Sequence, residues 1–195
     1  MTRLRTKYRI ASARAAWRDY AGDGRYFITV CTANRECLFG QILQRELDAS
    51  PIGEIVLREW DKSFEMRQEL FCDAFVLMPN HLHAILRIEN ASVQTHGRAS
   101  YLSNSSGTPA TPGEMKTHDR ASVLPCRSPK SISSFMAGFK SSATKLINEY
   151  RNTPGQPVWQ ARFHDHIIRN DGEFQRISNY IINNPVNWRN DKFNV

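Results

Sequence analysis

Apolar and polar positions along the 195-residue chain follow two periods, and each period marks an element. The run Tyr26-Phe27-Ile28-Thr29-Val30-Cys31-Thr32 is β-branched and aromatic, follows the turn-forming Gly22-Asp23-Gly24, and predicts a first strand. From Pro51 to Gln68, Ile52, Ile55, Val56, Trp60, Phe64 and Met66 fall mostly at helical spacing, with Pro51 suited to a first turn. Two apolar runs between Phe71 and Ile88 are broken by Met78-Pro79-Asn80, which predicts a strand, a tight connection and a second strand. Ser131 to Tyr150 places Ile132, Phe135, Met136, Phe139, Ala143, Leu146, Ile147 and Tyr150 on one helical stripe. Beyond the turn Thr153-Pro154-Gly155-Gln156-Pro157, Val158 to Arg169 reads as extended. Asn170, with Glu173 three residues on, offers a helix cap, and Pro185 stops that last helix after about four turns.

The order strand, helix, strand, strand, helix, strand, helix predicts an α+β fold, a mostly antiparallel sheet with packed helices, in one domain spanning 1–195. Residues 90–130 break the pattern. They turn to Ser, Thr, Gly, Pro and isolated charges without a sustained period, as expected of a flexible insertion.

Strand phase bears directly on chemistry. In the second strand of the 71–88 pair, His81, His83, Ile85 and Arg87 share one face while Leu82, Ala84, Leu86 and Ile88 share the other. Two imidazoles on one face are a start for a divalent transition metal, although a hydrogen-bonded pair satisfies the same spacing. On the last helix, Tyr180 and Asn184 are four apart and flank the apolar edge of Phe174, Ile177 and Ile181, so a hydroxyl and an amide stand at the rim of its packing surface. A packed tyrosine and a helix-end asparagine would show the same spacing. His164 and His166 form a second His-x-His, flanked by Arg162 and Arg169, and are the internal rival for the metal.

Charge narrows the partner. A net charge of +7 and a pI near 9.5 favour a polyanion, with nucleic acid ahead of an anionic membrane, because Lys and Arg on phosphates release condensed counterions. Cys31, Cys37, Cys72 and Cys126 show no regular spacing, which argues against a zinc knuckle or a disulfide framework and for a reducing cytoplasm. The first 20 residues carry charges throughout, with no apolar stretch suited to a signal peptide or membrane span, and read as a basic arm.

In order along the chain stand Val76-Leu77-Met78-Pro79-Asn80-His81-Leu82-His83-Ala84-Ile85, Trp159-Gln160, His166-Ile167-Ile168-Arg169-Asn170 and Tyr180-Ile181-Ile182-Asn183-Asn184-Pro185-Val186. This combination resembles the REP-associated tyrosine transposases, of the single-tyrosine HUH group, over most of residues 20 to 190 apart from the insertion. The resemblance implies a ferredoxin/RRM-like fold, His81 and His83 as metal ligands around the hydrophobic Leu82, Tyr180 as nucleophile and Asn184 as a third, oxygen ligand. It further implies nicking and strand transfer on single-stranded or hairpin DNA through a 5′-phosphotyrosine, by a monomer or a homodimer. Mg²⁺ or Mn²⁺ would suit the site, Mn²⁺ matching nitrogen ligands better. A non-catalytic nucleic-acid-binding module and a metallohydrolase using bound water are the rival readings.

Overall fold

The computed structural model describes residues 22–90 and 130–194. The expected basic arm and almost all of the 90–130 insertion lie outside the described residues.

Strand β1 (Gly24–Cys31) occupies the middle of a four-stranded sheet, followed by a short hairpin, β2 (Gly40–Leu43) and β3 (Glu46–Ala49), and helix α1 (Pro51–Lys62). Then come β4 (Leu70–Met78), β5 (His81–Ile88), helix α2 (Ile132–Tyr150), β6 (His164–Ile168) and helix α3 (Asp171–Ile182). The order across the main sheet is β4-β5-β1-β6, with every pairing antiparallel. Without the small hairpin the sequence of elements is β-α-β-β-α-β, the ferredoxin-like split unit, with α3 appended. The α+β expectation and its antiparallel sheet are therefore observed.

Alternation of side chains divides the core into two layers. Tyr26, Ile28, Val30, Leu82, Ala84 and Leu86 face α1 and α2 and pack there with Val56, Trp60, Phe135, Met136, Phe139 and Ile147. The opposite face buries Ile85 and Ile168 against Ile177 and Ile181 of α3, with Phe27, Val76 and Phe174 at the border. Each helix starts on a side-chain cap: Ser50 accepts from the Gly53 amide, Ser131 from that of Ser134 and Asn170 from that of Glu173.

Three boundaries differ from the sequence reading. Helix α1 ends at Lys62, not near Gln68, because Ser63 closes it with a hydroxyl bond to the Glu59 carbonyl; Phe64 still packs on Trp60 and Phe135 from the following turn, and Met66 is exposed. The 158–169 stretch is a strand only over its last part. Its start is tied to the end of β1 by an isolated bridge between Thr32 and Trp159. Helix α3 ends at Ile182, so Asn184 stands just past the helix, its amide bonded to the Ile181 carbonyl in a tightened turn.

Candidate active site

The site lies on the α3 face of the sheet, at the end where β5 begins. In the antiparallel register Cys31 is opposite His81 and Thr29 opposite His83, so both imidazoles project from an interior strand to the same side, with ring centroids 4.6 Å apart. Neither ring reaches solvent to any extent: His81 is 0% and His83 1% exposed. Each has one nitrogen already engaged. His81 Nδ1 lies 2.9 Å from Asn80 Oδ1, and Asn80 is fixed in that orientation because its Nδ2 donates to the carbonyl oxygens of Arg35 and Phe193. The amide oxygen must accept, so His81 carries its proton on Nδ1 and keeps a lone pair on Nε2. His83 Nδ1 lies 2.8 Å from Thr29 Oγ1, and its Nε2 lies 3.1 Å from the Tyr180 hydroxyl. With the proton on Nδ1, His83 Nε2 accepts from Tyr180.

Burial is the first cause that lowers the pKa of both imidazoles to about 3, seconded for His81 by Lys192 and for His83 by His81. At neutral pH both are uncharged and can ligate. Tyr180 responds in the opposite sense: burial and then Asp191 raise its phenol pKa, and a hydrogen bond from Asn184 opposes them. Left alone, this phenol is a poorer source of phenolate than tyrosine in water.

Asn184 is 1% exposed and completes the group. Its Nδ2 donates to Asp191 Oδ2 at 3.1 Å, which turns its Oδ1 the other way, and that oxygen has no hydrogen-bond partner. His81 Nε2 is likewise buried without a partner. Burying an unpaired acceptor is costly, so two orphaned lone pairs beside an imidazole nitrogen held by a phenol form a donor set that fits a divalent cation. Among the described residues no cluster of three His, Cys, Asp or Glu side chains exists that could hold a metal, so a site here would need the Asn184 amide oxygen as its third donor. Nitrogen-rich and neutral, the set would suit Mn²⁺ better than Mg²⁺.

The structure thus brings together all four residues expected from the sequence, His81, His83, Tyr180 and Asn184. It also reveals supports that no periodicity announced. Thr29 and Asn80 orient the His83 and His81 rings and Asp191 the Asn184 amide, and Phe193 lies against both imidazoles at 4.5 and 5.8 Å between centroids. The Phe193 amide donates to Asp191 Oδ1, so the 191–193 segment closes over the site as one turn. Phe27 borders it on the other side, 5.3 Å from the His83 ring and 6.3 Å from that of Tyr180. The rival pair does not gather ligands: His164 is exposed, and His166 Nε2 is bound to Glu173 Oε1 at 2.7 Å. A cleft of about 1270 Å³ opens beside Tyr180 and is lined by Lys140, Arg162, His166 and Arg176 among others.

The fold is transposase-like: a solved REP-associated tyrosine transposase bound to a REP hairpin aligns with a TM-score of 0.54 over 90% of this chain and 74% of its own, at 20% identity. The chain belongs to the same family as an uncharacterised Haemophilus influenzae (strain Rd) protein, to which it is 31% identical over 185 residues, 94% of this chain and 92% of that protein. No family model matches the chain. Among the described residues, no helix is long and apolar enough to cross a membrane.

Proposed function

We propose that this protein is a metal-dependent DNA strand-transferase that nicks single-stranded DNA, on or beside a hairpin, through a covalent 5′-phosphotyrosine at Tyr180. The observation that carries this reading is that His81 Nε2 and Asn184 Oδ1 are buried without partners while the neighbouring His83 imidazole holds the Tyr180 hydroxyl through Nε2. The REP hairpin bound by the structurally similar transposase supports the choice of DNA form.

His81, His83 and Asn184 would hold a divalent cation, which would supply positive charge where charge builds on the phosphate oxygens. The chain does the rest. Asn80, Thr29 and Asp191 hold the three donor atoms in orientation, so little reorganisation is needed when they ligate. Tyr180 is held by its hydroxyl at 3.1 Å from His83 Nε2, which positions the phenol oxygen at the mouth of the site for attack on the phosphate. Its oxygen then bonds to phosphorus as the bond from phosphorus to the 3′-oxygen breaks; the phenol loses a proton and the departing 3′-oxygen gains one. The phosphotyrosine conserves the energy of the diester, so a later 3′-hydroxyl can reverse the step with a different strand.

A fluorescent hairpin DNA with single-stranded flanks, incubated with Mn²⁺, is expected to leave a protein-linked band on a denaturing gel. That band should disappear with chelator and fall by about 10³-fold or more in Tyr180→Phe. Metal-dependent cleavage that survives Tyr180→Phe without any adduct would instead establish a hydrolase.

A further inference from the structure

His166 and Glu173 sit in the same cleft as Tyr180, yet nothing in the nucleophile or its metal site uses them. Glu173 is fixed three ways. Its backbone amide is capped by Asn170, its Oε2 accepts from the Arg169 amide at 2.9 Å, and its Oε1 accepts from His166 Nε2 at 2.7 Å. The Arg169 hydrogen bond and then that of His166 hold its carboxyl below the usual carboxylate range, so it is an acceptor only and Nε2 of His166 must be the donor. His166 Nδ1 is left without a hydrogen-bond partner among the described residues, on a side chain that is 41% exposed.

The surroundings select the ligand. Arg176 lies 3.7 Å from Glu173 and is otherwise in solvent, and Arg162, exposed on the segment leading into β6, has no ion-pair partner among the described residues. Two carboxylates, Glu173 and Asp165, thus stand on the cleft wall with Arg162, Arg176, Lys140, Lys192 and Arg35, so cations outnumber them. With Nε2 committed to Glu173, the open Nδ1 edge of the ring and the guanidinium groups of Arg162 and Arg176 border the same cleft, and an anion is the ligand complementary to those fixed positive charges. Position fixes which anion. Glu173 and Tyr180 are seven residues apart on α3, about 10 Å along its axis, so a group at His166 is not the phosphate attacked by Tyr180.

Resting on the strand-transferase reading, we propose that His166, braced by Glu173 and flanked by Arg162 and Arg176, is a positioning residue that binds a second backbone phosphate of the same DNA strand. It sets the register in which the reacting phosphate arrives at Tyr180. The pair on β6 therefore has a use of its own, as an anion station and not as a metal site.

Binding is measured in a Tyr180→Phe background by anisotropy of a labelled hairpin DNA with single-stranded flanks, so that the readout is independent of nicking. His166→Ala is expected to weaken binding about 5- to 10-fold and to flatten the log K against log salt slope by about 0.7. In a scan of single methylphosphonate substitutions, one position should be costly for the parent and silent for His166→Ala. His166→Arg should restore most of the affinity, and Glu173→Gln, whose amide oxygen can still accept from Arg169, should lie between parent and His166→Ala. Equal methylphosphonate costs at every position in parent and His166→Ala, or an unchanged salt slope with matched thermal melts, overturns the proposal. An absent adduct in the Tyr180-containing protein would count against the strand-transferase reading alone, since binding and its phosphate map are read separately.

Discussion

The chain carries the same His-x-His spacing twice on one face of one sheet, and the two pairs have opposite fates. His81 and His83 stand on β5, an interior strand between β4 and β1, beneath the end of α3 and the 191–193 turn. His164 and His166 stand on β6, at the edge of the sheet, where His164 is exposed and His166 opens onto the cleft. Alternation puts both pairs on the face that α3 covers, since Thr29 is opposite both His83 and His164. What differs is desolvation and the partner of the proton-bearing nitrogen. The buried pair is kept neutral, and Asn80 and Thr29 take its Nδ1 atoms, leaving Nε2 for a ligand. On the edge, Glu173 takes His166 Nε2 itself. A spacing motif decides the face, and the neighbours decide which nitrogen keeps a lone pair.

The comparison is most severely strained by alanine at equivalent places. His83→Ala should reduce the single-turnover rate of adduct formation by about 10³-fold or more, through loss of a ligand and of the contact to Tyr180. His164→Ala should stay within about twofold of the parent, as expected for an exposed surface substitution. Equal losses would erase the distinction between the pairs. A smaller effect separates the supporting residues. Asp191→Ala frees the Asn184 amide to turn and should lower Mn²⁺ affinity by about 10- to 100-fold in a calorimetric titration, whereas Glu173→Gln should leave that affinity unchanged.

The smallest effect is on stability. Imidazoles with a folded pKa near 3 and an ordinary unfolded value of 6.5 bind more protons when the chain is unfolded, so their contribution is complete above pH 6.5 and is lost as pH falls toward 3. The urea midpoint of the metal-free protein should therefore drop between pH 6.5 and 5, before ordinary carboxylates titrate, and His81→Leu should make the drop shallower. His164→Leu should not alter the slope.

Much of this site was legible in the sequence, for physical reasons that can be named. The phase of β5 follows from strict alternation around Leu82, and the nearness of Tyr180 to Asn184 from one helical turn, even though α3 closes at Ile182 and Asn184 reaches the site from the turn beyond. The hairpin β2–β3 was not legible. Its two turn residues, Gln44 and Arg45, have φ of 50° and 72° without the Gly or Asn that normally marks such a turn, and its strands have only four residues each. Nor were Asp191 and Phe193, because the segment after Pro185 has no period and its role depends on folding back over β5. Glu173 was read as half of a helix cap, and its second bond, to His166, is a tertiary contact that a cap motif does not encode.

The most direct test of the buried pair as the metal centre is electron spin-echo modulation of bound Mn²⁺. Coupling to two imidazole nitrogens is predicted for the parent and for His164→Ala, coupling to one for His81→Ala, and no stoichiometric binding for the His81→Ala, His83→Ala double variant. Undiminished two-nitrogen coupling in that double variant, with loss in a His164→Ala, His166→Ala variant, would contradict it and move the metal to the edge of the sheet.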